Sequence, residues 1–338
     1  LGSFINQADE IIAVSNFSAA ALRASAGRVL PEIANRIHTV LNGIDPEIFF
    51  PTDPSPIFHR FGLDPEKHRI ILHPHRPEPG KGLLETIQVV EILVRDFGIE
   101  GIRVLVPQWL ELMNGEAESE FHRLITAELS RRGLTENFIF HDWLSQSDMA
   151  AYYSAGEVTL CLGNMVEAFG NVAYESLVCG TPSIAARVGV HRSQLPDELI
   201  DKVDYGDARA AAAAAAQILM KRSRVEGKRL ERIREAFSLS RQLQSYARII
   251  SEAKKRKPPI SEPLSIDENT RFALAPWCYL SEKGFFQDYH ARYYDIPSLK
   301  ELLSLSSVIT PETRARCGVP LELAVAWYQL GIIIPIRD

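Results

Sequence analysis

From the start of the chain to about Ser251, short β-branched and apolar runs alternate with longer amphipathic stretches, which is the rhythm of strand and helix in an α/β sheet. Strands are predicted at 10–14, 69–73, 103–107, 137–141, 158–162 and 182–186, and helices at 18–26, 82–97, 118–132, 147–154, 171–179 and 208–222. The runs at 158–162 and 182–186 are apolar on both faces, as parallel strands covered by helices on each side are. The pattern therefore gives an α/β fold with a parallel, doubly wound sheet, whose ligand side lies beyond the C-terminal ends of the strands. Residues 210–216 are all alanine and lead into Gln217-Ile218-Leu219-Met220-Lys221, so they read as a packed helix rather than a low-complexity tract.

A charged helical stretch at 222–255 runs into Lys254-Lys255-Arg256-Lys257-Pro258-Pro259, where basic residues followed by prolines mark a linker. Beyond it the composition changes. Between Phe272 and Tyr294 lie eight aromatic residues, with Lys283-Gly284 at a hairpin position. Three short helices follow at 298–305, 311–317 and 320–330, then a β-rich tail at 331–336. Two or three strands with a helical trio suggest a small α+β, winged-helix-like module. From Arg256 to Asp338 there are nine basic and ten acidic residues, too balanced a count for a reader of duplex phosphates. The aromatics read as the core of this module, with a peptide or protein docking face as the alternative.

The 338 residues are 46% hydrophobic and 24% charged, enough for about two domains with a substantial core. A formal charge of -6 leaves no general attraction for nucleic acid or anionic membrane. Cys161, Cys179, Cys278 and Cys317 are widely spaced without a CxxC pair, which speaks against a zinc site and a disulfide scaffold, and for a reducing cytoplasm. No apolar run approaches the length needed to span a bilayer, and Leu1-Gly2-Ser3-Phe4 does not resemble a leader. A chain that begins with Leu is read as lacking an upstream portion.

The sharpest chemical signal is Glu167-Ala168-Phe169-Gly170-Asn171-Val172-Ala173-Tyr174-Glu175, spanning the end of a strand, a tight turn and the first turns of a helix. A helix N-terminus exposes unpaired N–H groups and the positive end of the dipole, so Gly170, Asn171 and Val172 suit a diphosphate. Glu167 precedes the turn on the sugar side of such a ligand. Glu175 is placed to accept hydrogen bonds from ribose hydroxyls. Two glutamates at this separation mean little alone in a chain with 43 acidic residues; the context gives them weight.

That context is Ser176-Leu177-Val178-Cys179-Gly180-Thr181-Pro182-Ser183-Ile184, a helix stopped by glycine before a proline-led buried strand. About twenty consecutive positions resemble the signature of retaining GT-B glycosyltransferases of family GT4, E-(G/A)-F-G-x-x-x-x-E-A-x-x-x-G-x-P-V. Leu41-Asn42-Gly43-Ile44-Asp45 with Phe50-Pro51 is similar to the segment where that family's chain enters its C-terminal Rossmann domain. Arg76-Pro77-Glu78-Pro79-Gly80-Lys81-Gly82 is similar to its G-R-x-x-x-x-K-G. Gly206-Asp207 and Phe237-Ser238 fit the family's order less specifically.

The resemblance implies a GT-B donor-binding Rossmann-like domain at 41–255, a remnant of the N-terminal Rossmann domain at 1–40, and the linker with the aromatic module at 256–338. It implies transfer of a sugar from a nucleoside-diphosphate sugar to an acceptor with retention, by a hexosyl-type enzyme. Arg76 and Lys81 would neutralise the leaving diphosphate, Glu167 would position the sugar, and Phe169, Gly170, Asn171, Val172 and Glu175 would bind the donor. Such enzymes typically need no cofactor and no divalent ion, and no DxD pair is present to hold a metal. The acceptor-side half would come from another segment or a separate chain. A non-catalytic donor-binding subunit and a nucleotide-sugar epimerase are the rival readings.

The chain departs from the pattern in several places. His73-Pro74-His75 stands before Arg76, where the family has glycine; these histidines suit either a phosphate contact or the strand end. Pro107-Gln108-Trp109 replaces a G-x-G, and Val190-His191-Arg192 follows Gly189 where a second glycine is common. Trp109 and Trp143 are candidates to stack on the nucleotide base, with a place in the core as the ordinary alternative for each.

Overall fold

The computed structural model describes residues 10–109, 119–255, 257, 260, 262 and 264–337. Leu1-Gly2-Ser3-Phe4, Glu118 at the expected start of a helix, and Arg256, Pro258 and Pro259 of the expected linker lie outside these. Two compact units are formed: one takes in the chain up to Leu41, Val166–Phe169 and everything from Gln242 on, the other Asn42–Met165 and Gly170–Arg241.

The first unit opens with strand β1 (Ile11–Ala13), helix α1 (Asn16–Ala26) and strand β2 (Ile37–Thr39). β1 and β2 pair in parallel with Ile11 opposite Ile37. Helix α1 begins where Ser15 stops the strand, its hydroxyl accepting from the Ser18 amide at 3.0 Å. A cap of this kind contributes about 1 kcal/mol.

The second unit runs α2 (Ser55–Phe61), β3 (Arg69–Leu72), α3 (Leu83–Arg95), β4 (Ile102–Pro107), α4 (Glu120–Arg132), β5 (Phe138–His141), α5 (Met149–Ala155), β6 (Val158–Cys161), α6 (Asn171–Val178), β7 (Ser183–Ala186), β8 (Asp201–Val203), α7 (Ala208–Lys221) and α8 (Gly227–Ala236). Its six strands are all parallel, in the order β5-β4-β3-β6-β7-β8. Every residue of β6 and β7 is buried, as their two-sided apolar pattern requires. In α7 the alanines at 211, 212, 215 and 216 share one buried face, joining Leu83, Ile87 and Val90 of α3 in the core. Asp207 caps this helix through the Ala210 amide at 2.9 Å.

The stretch expected as one charged helix is two. After α8, helix α9 (Leu239–Glu252) starts afresh. At the break Phe237 is buried and its carbonyl accepts from the Ile44 amide at 2.8 Å, a bond that draws the backbone out of helical geometry. Strands β2 and β8, three residues each, and helix α2 carry too little periodicity to be read from sequence.

The C-terminal part of the first unit contains β9 (Arg271–Leu274), β10 (Cys278–Ser281), β11 (Gly284–Gln287), β12 (Arg292–Tyr294), α10 (Pro297–Leu305), β13 (Val308–Ile309), α11 (Pro311–Arg316), α12 (Leu321–Gln329) and β14 (Ile333–Ile336). The three helices and the hairpin stand where the pattern puts them, with Ser281 opposite Gly284. The strands number six rather than two or three, in the antiparallel sheets β10-β11-β12 and β13-β9-β14. Strand β9 pairs with Ile309 and Pro335, partners far along the chain that no local turn announces. Phe272, Phe285, Leu299, Leu302 and Trp327 form the core, and Ala24 of α1 belongs to it. The amides of Glu262 and Leu264 donate to the carbonyls of Val29 and Arg28 at 2.8 and 3.2 Å. The sequence division at 40 and 256 thus places in separate blocks two stretches that fold as one.

Candidate active site at the sheet switch point

Along the second unit the chain builds β3, β4 and β5 outward in one direction, then returns to lay β6, β7 and β8 in the other. The order reverses between β3 and β6, and a parallel sheet opens a crevice beyond the strand ends at such a reversal. The loop after β3 carries Arg76 and Lys81; the loop after β6 leads through Glu167 and Phe169 to α6.

These two loops interlock. The Met165 amide donates to the Gly80 carbonyl at 3.0 Å. Gly82, with φ +91°, lies so close to the other loop that a methyl group on it would stand 2.5 Å from the Gly163 amide nitrogen. Gly163 is equally confined: a methyl there would stand 2.7 Å from the Lys81 carbonyl carbon. Tyr205 ties in further, its hydroxyl donating to Glu85 of α3 at 2.9 Å and accepting from the Asn164 amide group at 3.1 Å.

Helices α3 and α6 both start from a left-handed glycine, Gly82 and Gly170, with no side-chain cap among the described residues. Their first-turn amides are thus left to water or to a ligand, and each helix dipole favours an anion there. Lys81 immediately precedes the first of these starts and is half-buried. Arg76 is half-exposed and pairs with Glu78 at 3.4 Å. Asn171 is exposed and Val172 half-buried at the start of α6. Glu167 and Phe169 fall in Val166–Phe169, which groups with the first unit; there Ser18 donates to the Ala168 carbonyl at 3.1 Å, and Phe169 is buried.

Glu175 projects inward from α6 and accepts from the Tyr153 hydroxyl at 2.9 Å. Burial pushes its carboxyl above the usual range, and the Tyr153 hydrogen bond works against that shift. Tyr153 is itself fully buried, and desolvation with the nearby Glu175 carboxylate holds its phenol well above the ordinary value. Its contribution left no motif in the sequence.

Past the ends of β4 and β5 a cavity of about 330 Å³ is lined by Pro74, Arg76, Pro107, His141, Trp143 and Met149. Trp143 is 44% exposed, with its indole N–H held by the Gln108 carbonyl at 3.3 Å. Of the two tryptophans considered for stacking, Trp143 lines this cavity. Trp109 is buried in the sheet core, 4.7 Å from the Phe140 ring.

His73 takes the strand-end role. It is fully buried, its Nδ1 lies 3.1 Å from the Thr86 hydroxyl, and its Nε2 has no hydrogen-bond partner among the described residues. Burial, with a smaller contribution from His75, holds its pKa well below the ordinary value. Folded His73 therefore stays neutral where the unfolded chain begins to protonate, near pH 6.5. The stability it provides is complete above that pH and is lost as pH falls. His141, lowered chiefly by burial, acts in the same direction, while Glu175, raised by burial, acts in the opposite one. Thermal unfolding between pH 7.5 and 5 is expected to show the wild-type melting temperature falling with acidity and His73→Leu flattening that decline; an unchanged slope would assign the acid sensitivity elsewhere.

Residues 55–248 match the family described as Glycosyl transferases group 1. D-inositol 3-phosphate glycosyltransferase of Mycobacterium sp. (strain JLS) is 27% identical over 247 residues, 71% of this chain and 53% of the relative. The enzyme of the same description from Acidothermus cellulolyticus is 32% identical over 156 residues, 46% of this chain and 34% of the relative. The chain thus spans about half the length of the first of these relatives and matches 34% of the second. Among solved structures, Anabaena Alr3699/HepE in complex with UDP and glucose superposes with a TM-score of 0.61 at 17% identity, over 72% of this chain and 63% of that one. Sucrose-phosphate synthase from Thermosynechococcus elongatus gives 0.59 at 23% identity, over 75% and 61%. The sequence match covers more than half the chain, and the structural likeness gives the same GT-B architecture, so this chain belongs to the group 1 glycosyl transferases.

Proposed function

We propose that this chain is the donor-binding part of a retaining hexosyl-type glycosyltransferase acting on a nucleoside-diphosphate sugar. The observation that carries the reading is the pair of uncapped helix starts, α3 and α6, at the crevice where the strand order reverses. In this reading the diphosphate lies at those amides with Lys81 and Arg76 as counter-charges. The ribose hydroxyls donate to Glu175, and the base enters the cavity beside Trp143. The UDP bound by the Anabaena relative is consistent with such a ligand.

Transfer breaks the bond between the anomeric carbon and the outer phosphate oxygen and forms one from the same carbon to an acceptor oxygen on the same face. The departing phosphate takes the acceptor's proton. Negative charge grows on the diphosphate as its bond to the sugar breaks, and fixed donors aimed at it lower the barrier without reorganising. Glu167 orients the sugar in this scheme.

The acceptor side is proposed to need more chain. A parallel pair such as β1-β2 is ordinarily part of a larger, covered sheet, which favours further strands from another segment or a partner polypeptide.

Titration calorimetry with UDP, GDP and ADP, first without metal and then with Mg²⁺, tests the donor reading. One of the three is expected to bind without metal, with affinity reduced at least about tenfold in Glu175→Ala, the size of a lost hydrogen bond to a charged group. Failure of all three to bind sinks it.

A further inference from the structure

The loop that departs from the family pattern after Gly189 puts an imidazole against the start of α6. His191 lies in the turn Gly189–Arg192 that follows β7, and it is 9% exposed. Its Nδ1 is 3.3 Å from the hydroxyl of Tyr174, which is fully buried on α6 with its ring centroid 4.5 Å from that of Phe237. The Cε1 corner of the imidazole, next to Nδ1, faces Gly170: a methyl group on that glycine would run into Cε1 and stand 2.7 Å from Nε2, closer than real side-chain carbons come.

Gly170 has φ +77° and sets the direction in which the Asn171 and Val172 amides point. Glycine is the residue that tolerates this conformation, and also the one least able to hold it, since it visits many others at little cost. With no side-chain cap on α6 among the described residues, something else must restrict the turn. We infer that His191 is a positioning residue that acts through Gly170: its ring, held by Tyr174, fixes the left-handed turn and so aims the first amides of α6 at the diphosphate. This rests on the donor reading above and adds to it the group that sets its preference for a diphosphate over a monophosphate.

The test is a calorimetric comparison of UMP with UDP, GMP with GDP, and AMP with ADP, on wild-type protein, His191→Ala and His191→Phe. Wild type is expected to prefer the diphosphate of one pair. In His191→Ala that preference is expected to fall about tenfold, the cost of misaiming a hydrogen bond to a charged group, while monophosphate affinity holds. Phenylalanine keeps a flat ring against Gly170 and is expected to restore most of the preference. A residue that merely fills space would lower the melting temperature in His191→Ala and leave the preference unchanged, and that result overturns the inference. So does a loss in His191→Phe as large as in His191→Ala, which would assign the effect to a direct imidazole contact. If His191→Ala does not fold, Tyr174→Phe frees the ring from its hydrogen bond and must weaken the diphosphate preference; an unaltered preference there overturns the inference equally. Wild-type protein that binds none of the six nucleotides, or binds without preferring a diphosphate, overturns the donor reading and this inference with it. A wild-type preference that survives His191→Ala intact overturns this inference alone.

Discussion

Alanine at Gly82 is expected to lower the melting temperature by about 6–12 °C and to abolish nucleotide binding. Two costs add at this position. The backbone holds φ +91°, a left-handed conformation that costs an L-residue about 1–2 kcal/mol. The new methyl would also stand 2.5 Å from the Gly163 nitrogen and 2.9 Å from the Leu162 carbonyl carbon. Both are backbone atoms at the exit of β6, a buried central strand, so neither can swing aside as a flexible side chain would. Overpacking of this kind costs about 1–3 kcal/mol, for a total near 3 kcal/mol, which is the shift stated for the second unit, about 200 residues, melting as one cooperative body. Any relief must come from separating the two loops that frame the crevice, so function is lost with stability. Gly133 provides the control: it is also left-handed, at φ +68°, but nothing lies within 4 Å of the position its methyl would take. Gly133→Ala should cost only the conformational part and leave nucleotide binding unchanged. Scanning fluorimetry and calorimetric titration of the two variants decide the matter; equal destabilisation would mean that the loops are not interlocked as described.

Lys81→Ala is expected to weaken binding of the preferred nucleoside diphosphate by about 10–100-fold, the range of a lost charge-assisted contact. The lysine directly precedes the uncapped start of α3, so its charge and the helix dipole act on the same place. Arg76→Ala is expected to lose less. Arg76 is half-exposed and already engaged with Glu78 at 3.4 Å, and solvent screens such a group. Titrations at low and high salt should show a steep ionic-strength dependence in wild type that is shallower in Lys81→Ala. An affinity for the diphosphate that Lys81→Ala leaves unchanged would remove Lys81 from the proposed cradle.

Much of this arrangement is legible before any coordinates are seen, and the reasons are physical. Parallel strands buried on both faces must be apolar throughout, so β6 and β7 stand out at the positions the pattern gives them. A helix that begins at Gly170 and ends before Gly180 announces both boundaries. The grouping of residues brought together by folding is not legible in the same way. Tyr153 meets Glu175 from another helix, and His191 meets Gly170 from another loop, with no spacing rule to connect either pair. Gly163 occupies an unremarkable place in the sequence and becomes necessary only because Gly80 and Lys81 fold against it. The salt bridge between Arg76 and Glu78 is illegible for another reason: two residues apart in a loop, their side chains meet or diverge according to the loop's fold. In the C-terminal part, local hairpin and helix signals are strong, while β9, β13 and β14 meet across long sequence separations and add strands that no local pattern announces.

The first and last stretches of the chain share one core, with Ala24 among the apolar side chains around Phe272 and Trp327. Arg28 stacks on the Tyr328 ring at 4.8 Å, and the backbone carbonyls of Arg28 and Val29 accept from Leu264 and Glu262. The polypeptide passes between its two compact units at four points: the shared core accounts for those at 41–42 and 241–242, and Val166–Phe169 adds those at 165–166 and 169–170. A protease that nicks the chain between α9 and β9 would leave the C-terminal fragment attached through these contacts, so the cut would show on a denaturing gel while the eluted size stayed that of the intact chain. The module behaves as a clasp on the beginning of the polypeptide, and truncating either end would unfasten the other.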